Sequence, residues 1–249
     1  MRSLPQHTDE EIRTVVAERY GLVATAPKRK FDFPVGRVPA ESVGYDAESL
    51  KRLPVRLSAA FTGAGNPRRF VNEHGAETLP DLGCGAGRDL YLYARKIGRT
   101  GQLYGLAPAQ PMLDQAAMNL ASLGIENVEW HHVSADRIPL SDAEVAIVIA
   151  NGILNLSPDK DLVMRKVVRV LKPGGRTVFS KIALTGESPP DVCGDIGDLF
   201  RCIGGAMVAS QFLERPQAHG LNSQIPGRGR NSRTCPELAV RVVIRADKK

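Results

Sequence analysis

A glycine-spaced turn, Asp81-Leu82-Gly83-Cys84-Gly85-Ala86-Gly87, lies between an apolar run that begins at Thr78 and a helical pattern that begins at Asp89. Glycines spaced like this at the carboxyl end of a strand let the backbone approach a ligand closely. The same spacing also serves a dinucleotide loop or a plain tight turn, so the flanking pattern decides its meaning. Downstream, apolar runs at Gln102 to Leu106, Val128 to His131, Val145 to Ile149 and Arg176 to Ile182 alternate with helical patterns. One helix spans Asp89 to Ile97. Leu113, Ala116, Ala117, Leu120 and Leu123 mark one face of the next, and Lys160 to Leu171 forms a third, stopped by Lys172-Pro173-Gly174-Gly175. The alternation predicts an α/β fold with a doubly wound, mainly parallel sheet. Pro80 falls inside the first, central strand, where a missing N–H predicts local distortion.

On the amino-terminal side, Thr8 and Glu11 form a capping-box pattern, and Ile12, Val15, Val16 and Tyr20 recur at helical spacing, which predicts a helix over residues 8–20. Gly21 to Pro39 carries prolines and the triplet Lys28-Arg29-Lys30 and reads as a loop or lid. A short helix from Asp46 to Ala60, interrupted at Pro54, leads into Gly63-Ala64-Gly65-Asn66-Pro67. Beyond Thr185 the pattern weakens. Glu214 to Cys235 is rich in Gly, Arg, Asn, Ser and Pro and reads as a long exposed loop, and Glu237 to Ala246 as a last strand at a sheet edge. The expected organisation is a helical or lid segment over 1–66, a ligand-binding α/β domain over 67–185 and a small extension over 186–249.

Among 249 residues, 43% are hydrophobic and 24% charged, which suits a globular chain and excludes disorder or a fibrous repeat. Neither a signal-peptide core nor a bilayer-length apolar run is visible, so a cytoplasmic protein without a membrane partner is expected. The net charge of +6 comes from scattered basic residues with no nucleic-acid module, so no nucleic-acid partner is expected. Cys84, Cys193, Cys202 and Cys235 show no metal-finger spacing, which excludes a structural zinc site or a disulfide framework and leaves no metal site expected. Cys84 reads as a small turn residue, because nothing cationic is patterned to lower its pKa. His131 and His132 end a strand, where one of the pair ordinarily faces solvent. Asp159-Lys160-Asp161 reads as a helix start.

The glycine loop resembles the first motif of class I S-adenosylmethionine-dependent methyltransferases, whose fold is Rossmann-like, and Leu171-Lys172-Pro173-Gly174-Gly175 resembles that superfamily's post-helix turn. From Gly44-Tyr45 through Cys202-Ile203-Gly204-Gly205-Ala206 the chain resembles the arsenite methyltransferase family. Asn151-Gly152-Ile153-Leu154-Asn155-Leu156-Ser157-Pro158-Asp159-Lys160 is similar, almost residue for residue, to that family's Asn-Cys-Val-Ile-Asn-Leu-Ser-Pro-Asp-Lys run. The resemblance implies S-adenosyl-L-methionine as cofactor and a small-molecule acceptor, arsenite or an arsenite–thiol conjugate. It implies that Asp81, Gly83, Cys84, Gly85 and Gly87 line the methionine part, that Met112 flanks the adenosine and that Ser134 and Ala135 lie near the adenine. It also implies that Asn151 sits near the transferred methyl, that Cys202 is a thiolate ligand to the substrate and that Tyr45 closes over the site; the other reading of Tyr45 is that it packs the N-terminal helix against the domain.

The departures from that family are specific. Ala107 stands where an acid usually binds the ribose hydroxyls, a loss of two charge-assisted bonds at about 1.5–3 kcal/mol each. Ser134 replaces the acid near adenine, with Asp136 close by as a substitute. Gly152 and Ala64 stand where the family carries thiols, and Lys181 follows Ser180 where it often carries Asp. Three functions follow: methyl transfer to trivalent arsenic or another small soft nucleophile, methyl transfer to an organic small molecule, or a non-catalytic methyltransferase-like protein.

Overall fold

The computed structural model describes residues 7–72, 74–75, 77–186, 196–200, 204–230 and 239–249. Cys193, Cys202 and Cys235 lie outside them. Seven strands form one sheet in the order β3-β2-β1-β4-β5-β7-β6. They are β1 (Thr78–Leu82), β2 (Gln102–Ala107), β3 (Val128–His132), β4 (Val145–Asn151), β5 (Leu171–Leu184), β6 (Leu221–Arg230) and β7 (Ala239–Lys248). β1 to β5 are parallel where they pair, and β7 runs antiparallel to both β5 and β6. The expected doubly wound, mainly parallel sheet is therefore present, with an antiparallel hairpin at one edge. Strand order reverses between β1 and β4, and the crevice outside the carboxyl ends of strands at such a reversal is of the kind that holds ligands.

Local sequence explains the elements. Helix α1 (Asp9–Thr25) starts at Thr8, whose hydroxyl accepts from Glu11 N at 3.2 Å while the Glu11 carboxylate accepts from Thr8 N at 2.7 Å. It runs to Thr25, further than its apolar spacing marks, and α2 (Arg37–Ser42) interrupts the expected loop. The interrupted second helix is two short ones, α3 (Ala47–Arg52) and α4 (Val55–Ala59), separated at Pro54 as the ring's clash with a preceding turn requires. Between the strands lie α5 (Arg88–Ile97), α6 (Gln110–Ala121), the single turn α7 (Ile153–Leu156) and α8 (Lys160–Val170), followed by α9 (Ile196–Phe200) and α10 (Ala209–Ala218). β4 is apolar on both faces: Ile147 and Ile149 pack with Leu79, Leu90 and Leu103, while Val148 and Ala150 pack with Val163, Val167 and Phe179.

Pro80 leaves a measurable trace. β1 pairs with β2 along its whole length, from Thr78↔Gln102 to Leu82↔Leu106, but with β4 only at Asp81↔Ile149 and Leu82↔Ala150. The distortion is confined to the β4 side, beyond which the strand delivers Asp81 and the glycine loop to the crevice.

Two expectations are corrected at the carboxyl-terminal side. Glu214 to Arg230 is not a loop, because α10 continues to Ala218 and β6 follows it, while 231–235 of that expected loop lie outside the described residues. Nor is the last strand an edge: β7 lies between β5 and β6, and β6 is the edge. The physical reason is that β6 alternates with glycine in place of apolar side chains. Leu221, Ser223, Ile225, Gly227 and Gly229 are shielded, whereas Asn222, Gln224, Pro226, Arg228 and Arg230 are exposed. A Cβ at Gly227 would come within 2.8 Å of the Phe70 ring, so glycine is the inward residue there. Pro226 sits at the register shift between Gln224 and Gly227, where an edge strand tolerates it.

Candidate active site

The loop after β1 is tied to its surroundings by backbone bonds. Gly83 N and Cys84 N both donate to Leu106 O, at 2.8 and 3.0 Å, and the buried Asn119 donates to Ala86 O at 3.0 Å. Gly85 has φ +55°, and a Cβ there would meet nothing within 4 Å, so its backbone faces open space. Gly87 (φ +86°) is different, since a Cβ would strike Leu120 at 2.6 Å. It serves the packing of α5 on α6 and lines none of the cavities described next.

Three cavities meet around this loop. The first, about 480 Å³, is lined by Val16 and Tyr20 of α1, Gly83, Gly85, Ala107 and Met112, with Asn151, Gly152 and Ile153 opposite. A second, about 380 Å³, continues under the loop past Phe61, Gly63, Asp81, Arg88, Asp89 and Asn151. A third, about 300 Å³, opens beside Arg13, Ser134, Ala135 and Asp136. Among the residues expected from sequence, Asp81, Gly83, Cys84, Gly85, Met112 and Asn151 thus share one continuous cleft, and Ser134 and Ala135 border its far end.

The end under the loop is charged and buried. Tyr45 donates its hydroxyl to the Asp89 carboxylate at 2.7 Å. Asn151 Nδ2 donates to Asp89 at 3.1 Å, to Tyr45 Oη at 3.2 Å and to Gly65 O at 2.9 Å, while its Oδ1 accepts from Ala64 N and Gly65 N. Asn151 therefore pins the 64–65 segment against the end of β4. Arg88 pairs with Asp89 at 3.2 Å, and its guanidinium carbon lies 3.7 Å from both the Tyr45 and the Phe61 ring centroids. Asp81 is 2% exposed, and its Oδ1 has no hydrogen-bond partner among the described residues. Burial, then the Asp89 charge, pushes the Asp81 carboxyl well up, with Arg88 opposing. Burial and Asp81 push the Cys84 thiol up as well, which leaves it an inert turn residue. Tyr45 is held well above its ordinary value by burial and by Asp89.

The opposite end carries little charge. Ala107 ends β2 with a methyl group, flanked by Pro108 and Met112. Asp136 is not free to replace the missing acid, because Arg13 of α1 and the Ser134 hydroxyl both engage it. Burial would raise its carboxyl, but these two partners outweigh burial and hold it below its usual value. His131 stacks on Tyr104 and contacts Glu129 at 3.1 Å, and His132 Nε2 lies 2.8 Å from Pro108 O, so neither histidine enters the cleft. Lys181 lies on the far side of β5, its ammonium 3.5 Å from the Phe212 ring centroid.

Arg88, Asp89 and Arg13 were not singled out from the sequence. The first two directly follow Gly87, and that adjacency to the loop was the available signal.

A methyltransferase domain model matches residues 73–219. The chain belongs to the methyltransferase domain family. Among curated proteins, the chain is 36% identical over 218 residues to the arsenite methyltransferase of Halobacterium salinarum, covering 82% of the chain and 55% of that protein. The chain spans about half the length of the curated relatives it matches. By structure it is similar to an arsenic(III) S-adenosylmethionine methyltransferase from Chlamydomonas reinhardtii, with TM-score 0.67, 24% identity and coverage of 87% and 74% of the two chains. It is also similar to the geranyl diphosphate C-methyltransferase of Streptomyces coelicolor in complex with S-adenosyl-L-homocysteine, with TM-score 0.66, 18% identity and coverage of 96% and 98%. At those identities the two structures establish the fold alone. The methyltransferase domain implies S-adenosylmethionine as methyl donor, and the cleft suits it: an open glycine loop, apolar walls at Met112 and Ile153, and unmatched polar atoms at Asp81 and Arg88. The ribose acid is the missing element. Among the described residues no helix is long and apolar enough to cross a membrane, and no group of three or more His, Cys, Asp or Glu could hold a metal.

Proposed function

We propose that the chain transfers the methyl group of S-adenosylmethionine to a small soft nucleophile, with trivalent arsenic as the first acceptor. The observation that carries this reading is the continuous cleft at the β1–β4 reversal, which joins an open glycine backbone to an apolar adenosine wall. When bound, the cofactor supplies an electrophilic sulfonium methyl. The protein's task is then to hold donor and acceptor in line and exclude water. Asp81, Gly83, Cys84 and Gly85 hold the methionine end, Met112 the adenosine, and Ser134 and Ala135 the adenine edge. Asn151 acts by fixing the wall beside the methyl group, since its amide is already bonded to the 64–65 segment. Segment 1–66 works as a lid through Val16 and Tyr20, 67–185 carries the cofactor, and 186–249 supplies the acceptor side with the Cys202 thiolate.

The names of the arsenite methyltransferase relatives and the Cys202 match support arsenic. A specific observation favours a second reading, an organic acceptor: a Cβ at Gly152 would lie 3.7 Å from Ala64 N, so the two positions that lack the family's thiols face each other as a sulfur-free wall. The test is turnover of S-adenosylmethionine with arsenite and a thiol reductant, followed by mass spectrometry of the arsenic products. Methylated arsenic from the unmodified protein, lost in Cys202→Ala, is the expected result. Turnover that ignores Cys202 and arsenite alike moves the acceptor to an organic molecule. No turnover and no cofactor binding ends the enzyme reading.

A further inference from the structure

The residue at the first position of α5, Arg88, is 3% exposed and lies against Tyr45 and Phe61. One of its nitrogens pairs with Asp89, but Nε and Nη1 have no hydrogen-bond partner among the described residues. Leaving charged donors buried and unmatched is costly, so such groups are retained where a ligand completes them. The same cavity presents an unmatched carboxylate oxygen, Asp81 Oδ1, and is walled by the loop that carries Gly85. A cation with free planar donors and an anion with a free acceptor, both walled from water, match a ligand group that carries a carboxylate and an ammonium on one carbon. Planar N–H pairs suit a carboxylate in particular.

We infer that Arg88 is the carboxylate receptor of this cleft and, with Asp81, grips the α-amino-acid tail of the methyl donor. The inference rests on the cofactor reading above and adds a residue to it. Tyr45 and Phe61 then act as the aromatic seat that holds the guanidinium in place, which explains why two rings from the amino-terminal segment converge on one side chain.

Calorimetric titration with two ligands tests this: S-adenosylmethionine and its decarboxylated analogue, which keeps the sulfonium, the amine and the adenosine. The unmodified protein should bind the decarboxylated ligand about tenfold or more weakly. In Arg88→Met, affinity for S-adenosylmethionine should fall to that of the analogue, whose own affinity should stay nearly unchanged. Arg88→Lys, which keeps charge without the planar pair, should retain part of the preference. Equal affinity of the unmodified protein for both ligands overturns the inference, and this comparison stands even where Arg88→Met does not fold. Equal weakening of both ligands in Arg88→Met also overturns it, because a purely structural role predicts that. If the unmodified protein binds neither S-adenosylmethionine nor the analogue, the cofactor reading itself has failed and this assignment falls with it.

Discussion

Two arginines are buried at opposite ends of the sheet, and they are bonded very differently. Arg176, at the amino end of β5's regular pairing, donates Nε to Val71 O at 2.6 Å, Nη2 to Asn72 O at 2.6 Å, and both terminal nitrogens to the Glu77 carboxylate at 2.9 and 3.0 Å. Arg88, at the carboxyl ends, has one ion pair, two aromatic faces and two unmatched nitrogens. One is a bolt that joins the 71–77 segment to the sheet. The other keeps its donors unspent in a cavity. Burial alone does not distinguish a structural charge from a binding one. The count of donors left over does.

That contrast yields a ranked set of outcomes. Arg176→Met should cost the most stability, about 3–5 kcal/mol, because it strands a largely buried Glu77 together with two backbone carbonyls. Urea unfolding measures it, and adenosyl ligands should still bind whatever protein remains folded. Asn151→Ala should cost about 2–3 kcal/mol, since it releases the 64–65 segment, Tyr45 and Asp89 together, and it should abolish turnover. Arg88→Met should lower stability by only about 1–2 kcal/mol, since Asp89 keeps Tyr45 and Asn151 as partners. If Arg88→Met proves more damaging to stability than Arg176→Met, the distinction between the two arginines is wrong.

The smallest effects are electrostatic, and their signs differ along the cleft. Asp136 has its carboxyl held below the unfolded value, so its contribution is complete above that value and is lost as pH falls through the lower, folded one. Arg13→Ala should weaken this acid-side dependence, leaving the part held by Ser134, and remove about 1 kcal/mol of stability at neutral pH. Asp81 has its carboxyl raised, so the free protein is penalised as pH rises above the unfolded value. Asp81→Asn should therefore raise the melting temperature at neutral pH while weakening cofactor binding, a trade common at binding sites. A variant that both melts earlier and binds as before would contradict the role given to Asp81.

Much of this was legible from residue pattern. The glycine loop, the alternation of apolar runs and the Thr8–Glu11 cap mark the sheet core and α1, because period and capping chemistry are local properties. β6 was not legible, because two of its inward positions are glycines that press on Phe70 and Arg241 and a third is Ser223, and a strand with only Leu221 and Ile225 as inward apolar side chains looks like a loop. The cleft was half legible. Asp81, Gly83, Gly85, Met112 and Asn151 follow from the motif and its resemblance, whereas the Tyr45–Asp89–Arg88–Phe61 cluster joins segments far apart in sequence and appears only when the chain is folded. Ala107 was visible as a departure, but the capture of Asp136 by Arg13, which removes the nearby substitute, was not.

If recognition has shifted from the ribose to the amino-acid end, the protein should bind S-adenosylmethionine despite Ala107. Calorimetric titration of the unmodified protein and of Ala107→Asp decides this. The expected result is saturable binding by the unmodified protein, tightened about a hundredfold or more in Ala107→Asp by the two restored ribose contacts. Heat that appears only after Ala107→Asp is introduced would mean that the charged end alone does not hold the cofactor, and that the chain keeps a methyltransferase fold without its donor.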